Sequence, residues 1–458
     1  MRTAVVVGAG VAGLAAAGAL AQAGWRVTLI ERGERLRGVG TAQIIHPNGV
    51  AALRALGLRL GDLAFPAPPG GIRRPDGRVL VEPGLLTARN GPGTVGSPVP
   101  LAVPSAVPPG VPTPDPAAPD VRSPAAAVAD PAEPAAVTAP ARTAPDVPVV
   151  LHADDLHDLL LAALGDKIEI RTNTEVTAVV TSGVDWPAVV AGKHTFRADL
   201  VVAADGAGSV IRQRLAPRAR VAPAGYTTWR ALVPWFRAPR LPEDVPPAGE
   251  LLGTGMRFAY ATLGLRRRAG EPAGVGDESA RGGVYWYATA PGAPRPESVS
   301  TQLTLLRRWF AGWHTPVAEL LAATQVGDLV PQPAVHLAEL PDQFGFRVGG
   351  GGVVLVGDAA HAITPSLTQG ACLALEDAVV LGRLMREAVP GEDIAARLTE
   401  YTRLRRDRVR RLDRVARRLD RLVQAQGRFA VAARDALLPR LATRVLTPAV
   451  AAAADWTP

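Results

Sequence analysis

Short apolar runs around an alanine-rich segment at the start of the chain predict a strand, a helix and a second strand. The first run is residues 4–7, the second is Arg26–Ile30, and three glycines lead from the first run into the alanine-rich segment. Short runs of β-branched residues bounded by glycine are typical of buried strands, whereas the alanine-rich segment is long enough for a helix. Residues 3–30 are therefore predicted to form a βαβ unit.

The pattern then changes twice. Residues 72–82 carry apolar positions on both sides of Asp76-Gly77, which predicts a β-hairpin. Residues 85–148 are dominated by proline, alanine, valine and glycine, without periodicity. Because so many prolines remove backbone donors and exclude helix, this stretch is predicted to be an extended or disordered insertion.

Periodic structure returns at Val149. The segment "DDLHDLLLAAL" is predicted to be an amphipathic helix with Asp154 or Asp155 as its N-cap. Strands are predicted after it at Ile168–Arg171, 176–181 and Leu200–Ala203.

The second half of the chain first predicts an antiparallel sheet that holds much of the aromatic content. Residues 226–290 alternate β-rich runs such as "TTWRALVPW" and "GGVYWYATA" with Pro/Gly turns. A helical region (302–323) and a strand (353–356) follow. After Glu400 a long arginine-rich helix is predicted. Its apolar residues recur at helical spacing and form a stripe, which is predicted to pack against the protein or to form a dimer contact, while the arginines lie on the other faces of the helix. The stripe is Leu404, Leu412, Val415, Leu419 and Leu422.

Composition narrows the class of protein. The chain has 458 residues, 48% of them hydrophobic, which suits a large core in two joined domains. Its one cysteine excludes an internal disulfide framework. The net charge of +8 rests on arginine without interleaved aromatic residues, so no nucleic acid partner is expected. Long uninterrupted apolar stretches are absent from the sequence, so we expect a cytoplasmic protein without an integral membrane segment.

The βαβ unit carries the first motif, a glycine-rich turn in "VVVGAGVAGLAAAGALAQAGWRVTLIER". Gly8 permits the tight turn, Gly10 lets amides approach a pyrophosphate with Ala12 two residues further on, and Gly13 allows close helix packing. At the end of the second strand, a carboxylate is suitably placed to accept both hydroxyls of an adenosine ribose. The acid is Glu31; with Arg32 next to it, it favours FAD or NAD over NADP. The alternative is an ordinary alanine- and glycine-rich turn.

Two further motifs follow strands. One is "LVVAADGAGSVIRQRL", and the other is "VGDAAHAITPSLTQGACLALEDA". A metal site at Asp358 and His361 is disfavoured because no further ligands lie at suitable spacing. Cys372 is interpreted as a buried, inert thiol rather than a nucleophile, and His361 as a packing or helix-edge residue.

In this order and spacing, the three motifs resemble the single-component (group A) flavoprotein monooxygenases, the group that contains para-hydroxybenzoate hydroxylase and salicylate hydroxylase. The resemblance extends to "HPNGVAALRALGL", "YTTWRALVP" and "VYWYATAP" and covers nearly the whole chain except the insertion. It implies an α/β fold with a Rossmann-like FAD-binding domain, a mostly antiparallel substrate sheet and C-terminal helices. It also implies FAD as the bound cofactor and NADH or NADPH as a transient co-substrate.

The resemblance implies roles for a few residues of the third motif. Asp358 is implied to bind the ribityl chain of FAD, and Pro365 to lie against the isoalloxazine. Gln369 and Gly370, with Ala371 next to them, are implied to present helix N-terminal amides to the electron-rich N1/C2 carbonyl edge. A helix dipole there stabilises the anionic reduced flavin.

The same resemblance implies that Asp205 and Gly206 close over the FAD pyrophosphate and contribute to nicotinamide binding. The chain departs from the family pattern in two places. His152 stands where the family usually has an arginine that contacts the flavin. Thr368 stands at the first position of a loop that usually reads Gly-Gln-Gly.

The activity that the resemblance implies is transfer of one oxygen atom from O2 to an aromatic or polycyclic small molecule, by way of a flavin C4a-hydroperoxide. The protein is expected to be a monomer or a homodimer. No catalytic side chain is identified. Substrate-pocket candidates lie on the aromatic sheet, with Arg230 and Tyr260 ahead of Arg257, Tyr285 and Tyr287 because each lies in a β-rich run.

The sequence predicts the following division into domains. The FAD-binding domain has three parts (1–71, 149–220 and 335–390), the substrate sheet domain is 221–334 with a hairpin at 72–84, the insertion is 85–148, and C-terminal arginine-rich helices cover 391–458. Two alternatives stay open: a related FAD enzyme such as an epoxidase, halogenase or reductase, and a non-catalytic flavin-binding protein. A halogenase is expected to carry "WxWxIP", which this sequence lacks.

Overall fold

The structure is a computed structural model. It describes residues 2–36, 40–83, 147–165, 168–266, 281–292, 296–387, 392–442 and 455–458. The predicted insertion at 85–148 lies outside these ranges except for residues 147 and 148.

Strands and helices are numbered in chain order. The strands are β1 (Thr3–Val7), β2 (Arg26–Ile30), β3 (Ala42–Ile45), β4 (Ala64–Pro66), β5 (Ile72–Arg73), β6 (Val79–Val81), β7 (Val149–His152), β8 (Ile168–Arg171), β9 (Ala178–Val180), β10 (Ala188–Ala191), β11 (His194–Arg197), β12 (Leu200–Ala203), β13 (Val221–Pro234), β14 (Ala248–Leu252), β15 (Arg257–Arg266), β16 (Arg281–Pro291), β17 (Leu329–Leu337), β18 (Gly345–Val348) and β19 (Gly351–Leu355). The helices are α1 (Val11–Gln22), α2 (Pro47–Ala55), α3 (Ala153–Ala162), α4 (Val210–Leu215), α5 (Val299–Trp309), α6 (Val317–Ala323), α7 (Asp358–His361), α8 (Gly370–Arg386), α9 (Glu392–Val423) and α10 (Arg428–Leu441).

A six-stranded sheet in the order β18-β19-β12-β1-β2-β8 organises the first layer. All its neighbouring pairs are parallel except β18 with β19. The central strands β1, β12 and β19 are buried on both faces, which is why they read as continuous apolar runs. Helices α1 and α8 pack together so closely that a Cβ at Gly382 would lie 2.8 Å from the Cβ of Ala19.

A seven-stranded sheet in the order β17-β13-β16-β15-β14-β5-β6 forms the second layer. Strands β13 to β17 pair antiparallel, and the predicted hairpin β5-β6 joins the edge of this sheet through a parallel pair with β14. The predicted fold class is thus confirmed, with a doubly wound sheet beside a mostly antiparallel one. Two three-stranded sheets, β11-β10-β9 and β3-β7-β4, complete the fold.

The seven-stranded sheet has one fully apolar face. Trp229, Phe258 and Trp286 alternate onto this face and pack against Phe310, which follows α5. The indole nitrogen of Trp229 donates to Oε1 of Gln302 at 2.8 Å, so its polar atom is satisfied within the core. The opposite face of the sheet is left to meet the six-stranded layer.

Two helix predictions need correction. The N-cap of α3 is His152, whose Nδ1 accepts from the amide of Asp154 at 3.2 Å, and neither Asp154 nor Asp155 takes this position. The reason is that β7 runs directly into the helix and leaves the extended residue at its end to cap it. The predicted helical region 302–323 is two helices, α5 and α6, because the chain turns between them at Gly312, whose φ of +75° is incompatible with a continuous helix.

The C-terminal helix α9 begins before the predicted start at Glu400 and is followed by α10. Its buried stripe is also different from the predicted one. Leu404 is 41% exposed, whereas Arg405 is 1% and Arg408 is 7% exposed. The arginines enter the core because α8 supplies carboxylate partners for them. Further along, Asp420 accepts a hydrogen bond from Tyr226 on β13 at 3.0 Å.

Candidate functional site

A cavity of about 360 Å³ lies between the carboxyl ends of the parallel strands and the seven-stranded sheet. The start of α1, the turn after β12, the turn after β19 and the start of α8 line one side. Residues of β3, β13, β16 and β17 line the other. Ligands of open α/β sheets bind at the carboxyl ends of the strands, so this cavity is the candidate site.

The glycine-rich turn is shaped as its sequence predicts. Gly8 adopts φ +102°, and a Cβ at Gly13 would lie 1.8 Å from the Gly8 carbonyl oxygen. A Cβ at Gly10 would instead meet open space, with no atom within 4 Å, and Gly10 lines the cavity. The first turn of α1 has no side-chain cap and no acidic residue. Its amides therefore remain open to an anionic group, which fits a pyrophosphate.

Glu31 lies beside this turn. Its two carboxylate oxygens accept from the amides of Ala9 and Gly33, both at 2.8 Å, which orients the side chain. Arg32 is exposed. Neither residue lines the cavity. His157 of α3, a residue without a local sequence signal, bonds the carbonyl of Ala9 at 3.1 Å and ties α3 to the turn.

The Asp-Gly motif lies at the next strand end. Asp205 accepts from the amide of Val210 at 2.9 Å, but its Oδ1 is buried without a hydrogen-bond partner in the described residues. Burial raises the pKa of Asp205, while Ser209 and nearby amides oppose the shift. Arg212 is 1% exposed and donates to the carbonyl of Ala359 at 3.1 Å. It thereby joins the second motif to the third.

Asp358 follows β19 and is exposed into the cavity. The surrounding protein raises the pKa of its carboxyl group by desolvation, and His361, Arg230 and Arg212 partly offset this effect. Gly357 before it has φ +57°, and a Cβ there would lie 2.6 Å from the Cβ of Ala12. The backbone therefore needs glycine at this point to bring Asp358 to the cavity.

The loop after α7 leads into α8. Pro365 begins a 3-10 turn, Thr368 adopts the left-handed conformation with φ +51°, and Gln369 is the N-cap of α8. The first turn of α8 has neither a side-chain cap nor an acidic residue. Asn48 of α2 holds the loop in place by donating to Oε1 of Gln369 at 2.9 Å.

The structure brings together only part of the predicted cofactor set at the cavity wall. The residues that line it are Gly10, Ala12, Gly206, Asp358, Pro365, Thr368, Gly370 and Ala371. Those that do not are Gly8, Gly13, Glu31, Arg32, His152, Asp205 and Gln369. His152 is occupied as the cap of α3, at Nδ1.

The sheet side of the cavity separates the two substrate-pocket candidates. Arg230 lines the cavity and pairs across the sheet with Tyr287, whose ring centre is 6.0 Å from the guanidinium carbon. Tyr260 pairs with Trp286 and packs on the opposite, apolar face, so it does not line this cavity. Burial raises the pKa of Tyr260 to about 12. Successive strand residues point to opposite faces, which explains the difference.

A buried ionic cluster behind α8 was not predicted. It consists of Glu376 and Asp377 from α8 with Arg405 and Arg408 from α9, joined by His361. Arg405 lies 2.7 Å from Glu376 and 2.6 Å from Asp377. Nε2 of His361 lies 2.6 Å from Asp377, so this histidine is a hydrogen-bond partner of the cluster and not merely a packing residue. Burial opposes ionisation, but His361 and Arg405 lower the pKa of Asp377 to about 2.

Other chemistry has no support in the described part of the chain. It contains no group of three or more His, Cys, Asp or Glu side chains that could hold a metal ion. Within those same ranges no helix has the length and apolarity needed to cross a membrane. Cys372 is fully buried, and burial raises the pKa of its thiol to about 12.

We therefore expect Cys372 to resist alkylation in the folded protein. At pH 8 a shift of the thiol pKa from 9.0 to about 12 lowers the thiolate fraction by about 1,000-fold, and burial blocks the reagent as well. Raising the pH towards the shifted value should increase the rate. Mass spectrometry after iodoacetamide treatment measures it, with the urea-unfolded chain as the control. Equal labelling of folded and unfolded protein would contradict the buried position.

Residues 1–252 and 336–416 match the family model described as the FAD binding domain. Among curated proteins, the chain is 28% identical over 446 residues to the aurachin C monooxygenase/isomerase of Stigmatella aurantiaca, covering 95% of this chain and 93% of that protein. It is 36% identical over 228 residues to the FAD-dependent urate hydroxylase of Klebsiella pneumoniae, covering 48% of this chain and 51% of that protein. The chain thus aligns with about half the length of the urate hydroxylase.

Solved structures show the same fold. The crystal structure of Klebsiella pneumoniae HpxO complexed with FAD and uric acid has a TM-score of 0.69, 24% identity, and coverage of 98% of this chain and 97% of that one. The 2,6-dihydroxypyridine-3-hydroxylase from Arthrobacter nicotinovorans has a TM-score of 0.63, 16% identity, and coverage of 94% and 95%.

Proposed function

This chain belongs to the FAD binding domain family and so to the flavoprotein monooxygenases that its sequence resembles, and on that premise we propose that it uses NADH or NADPH and O2 to oxygenate an aromatic or polycyclic small molecule. Bound FAD would supply the activation of O2 and the transfer of one oxygen atom. The chain's own residues bind, orient and enclose the reactants.

One observation carries this proposal. Two helix N-termini, those of α1 and α8, open on the same cavity with Asp358 near them, and neither has a side-chain cap. The first would face the pyrophosphate and the second the electron-rich edge of the isoalloxazine, because both groups carry negative charge that a helix N-terminus stabilises. Asp358 would hold hydroxyls of the ribityl chain, and Glu31 those of the adenosine ribose. Asp205 and Gly206 would close over the pyrophosphate.

Unpaired polar atoms around the cavity support an oxygen-substituted ring as substrate. Nε of Arg230 and the hydroxyl of Tyr287 on the sheet side, and the hydroxyl of Thr364 on the opposite side, are buried without hydrogen-bond partners among the described residues. All three residues line the cavity. Unpaired buried donors are costly, so an occupant that carries acceptor oxygens fits this cavity. We propose a ring with a hydroxy or oxo substituent.

The proposed division into domains follows the two sheets. The six-stranded layer would hold FAD, with parts at 1–71, 149–220 and 335–390, and the seven-stranded layer would hold the substrate, with parts at 72–84 and 221–334. A cytoplasmic location and a monomer or homodimer are also proposed. A single cysteine supports the reducing location.

The test is purification followed by a substrate panel. We expect a yellow protein whose NAD(P)H oxidation is stimulated by an oxygen-substituted ring compound, with a product heavier by one oxygen atom. The name of the Klebsiella pneumoniae relative suggests urate as the first member of the panel. A colourless protein that takes up no added FAD would overturn the proposal. NAD(P)H oxidation that never yields an oxygenated product would favour a different flavin oxidoreductase.

Replacing Arg230 by methionine should weaken substrate binding selectively. Methionine keeps most of the side-chain length but removes the charged donor, so KM for an oxygen-substituted substrate should rise about 10-fold or more. The FAD dissociation constant should change less. Steady-state kinetics and an FAD titration measure the two effects. Arg220→Met, at an exposed position just before β13, is the matched control and should leave both values unchanged.

A further inference from the structure

Thr368 combines an unfavourable backbone conformation with a hydroxyl at the cavity. Its φ of +51° lies in the left-handed region, which β-branched residues rarely adopt. In the described residues, Asn173 is the other non-glycine residue with positive φ, and asparagine tolerates that region. Strained residues of this kind cluster at functional sites, so Thr368 calls for an explanation in terms of its side chain.

The hydrogen bonds of Thr368 leave at least one lone pair of its hydroxyl oxygen free to accept a further hydrogen bond. Its hydroxyl donates to the carbonyl of Leu367 at 2.8 Å. Nε2 of His46 lies 2.7 Å from the same oxygen, and which of the two atoms donates depends on the tautomer of His46. A hydroxyl oxygen has two lone pairs and accepts at most one of these bonds, so at least one lone pair remains in either arrangement.

His46 is suited to hold this arrangement permanently. Desolvation by the surrounding protein lowers the pKa of His46 to about 4, although the carbonyl of Leu367 opposes the shift. The imidazole is therefore neutral at physiological pH and has one N–H donor and one acceptor nitrogen, so it can hold the Thr368 hydroxyl in either role. No other described residue donates to the Thr368 oxygen.

We propose that Thr368 is a positioning residue whose remaining lone pair accepts a hydrogen bond from an N–H group of the ligand in the cavity. The inference rests on the proposed function, in which that ligand is FAD and the N–H belongs to its isoalloxazine. Thr368 lines the cavity immediately before the N-terminus of α8. The amides of α8 offer donors, whereas Thr368 adds an acceptor next to them, so the loop can match both kinds of group on one ring edge.

Three substitutions at Thr368 separate the hydroxyl from the backbone. Thr368→Val keeps the branched shape and removes the acceptor, Thr368→Ser keeps the acceptor, and Thr368→Gly relieves the backbone while removing the acceptor. We expect Val and Gly to weaken FAD binding by about 5- to 10-fold and to shift the visible absorption bands of the flavin. Ser should bind FAD within about twofold of the parent, because it keeps the acceptor.

The measurements are FAD titration by fluorescence quenching, the flavin absorption spectrum, and urea unfolding of the FAD-free protein. Thr368→Gly with parental FAD affinity and spectrum would overturn the inference, since it would show that Thr368 serves only the loop. So would Thr368→Ser with the same loss as Val. If Val does not fold, Gly and Ser still decide the matter. Failure of the parent itself to bind FAD would instead refute the proposed function.

Discussion

Replacing Gly13 by alanine is expected to weaken FAD binding strongly. The added Cβ would lie 1.8 Å from the carbonyl oxygen of Gly8 and 3.3 Å from the Cβ of Ala204, so α1 must move away from the turn. Overpacking against backbone costs about 1–3 kcal/mol or more. The α1 amides then leave the position in which they face the pyrophosphate, and we expect the FAD dissociation constant to rise by at least about 100-fold.

Gly18→Ala is the matched control for Gly13→Ala, because it makes the same chemical change on the same helix. Its Cβ would make an ordinary contact, 3.6 Å from Cδ2 of Leu164. Alanine is the better helix former, so this variant should be more stable by about 0.5–1 kcal/mol. FAD titration and urea unfolding measure both variants. Equal FAD affinity of the two variants would show that the turn does not hold the cofactor.

Arg405→Met is expected to lower the free energy of unfolding by about 3–5 kcal/mol. Arg405 is 1% exposed, and its guanidinium lies 2.7 Å from Glu376 and 2.6 Å from Asp377. Its removal leaves two buried carboxylates with fewer cationic partners, and an uncompensated buried charge is the costly outcome. Arg403→Met, on the same helix with a side chain 68% exposed, should leave the free energy of unfolding almost unchanged, because exposed ion pairs contribute little.

The pH dependence of Arg405→Met identifies the carboxylates as the cause. Partners in the folded protein lower the pKa of Asp377 from 3.8 to about 2. The stability that this provides is present above pH 3.8 and is lost as the pH falls towards 2. The difference between the parent and Arg405→Met should therefore be largest near neutral pH and shrink in acid. Urea unfolding at several pH values measures it, and a difference that grows in acid would contradict the ion-pair explanation.

The sequence predicts the local elements well because their signals are local. The glycine-rich turn needs only its own residues and the strand before it, and β2, β8 and β12 have the predicted bounds. The sequence does not, by contrast, show whether Arg230 or Tyr260 faces the cavity. Both lie in β-rich runs, but which face meets the cavity depends on the pairing of Arg230 with Tyr287, and this register is not encoded within either run.

The buried ionic cluster was missed for a related reason. Glu376 and Asp377 lie far along the chain from Arg405, so periodicity on either helix alone assigns these charges to solvent. Only the packing of α8 against α9 shows that each charge has its partner. His46 had a weak signal in the "HPNG" segment, but its pairing with Thr368 joins elements more than 300 residues apart.

Helix α9 spans both layers of the molecule. Near its start, Thr402 accepts from the amide of Gly345 on β18, at 3.1 Å, and Arg405 pairs with α8. Near its end, Asp420 bonds Tyr226, and Gln424 just beyond donates to Thr289 on β16 at 3.0 Å. One continuous helix thus bonds to both sheets, and we expect the two sheets to unfold together for this reason. A substitution in α9 that loosens these bonds should therefore change the cavity between the sheets as well as the free energy of unfolding.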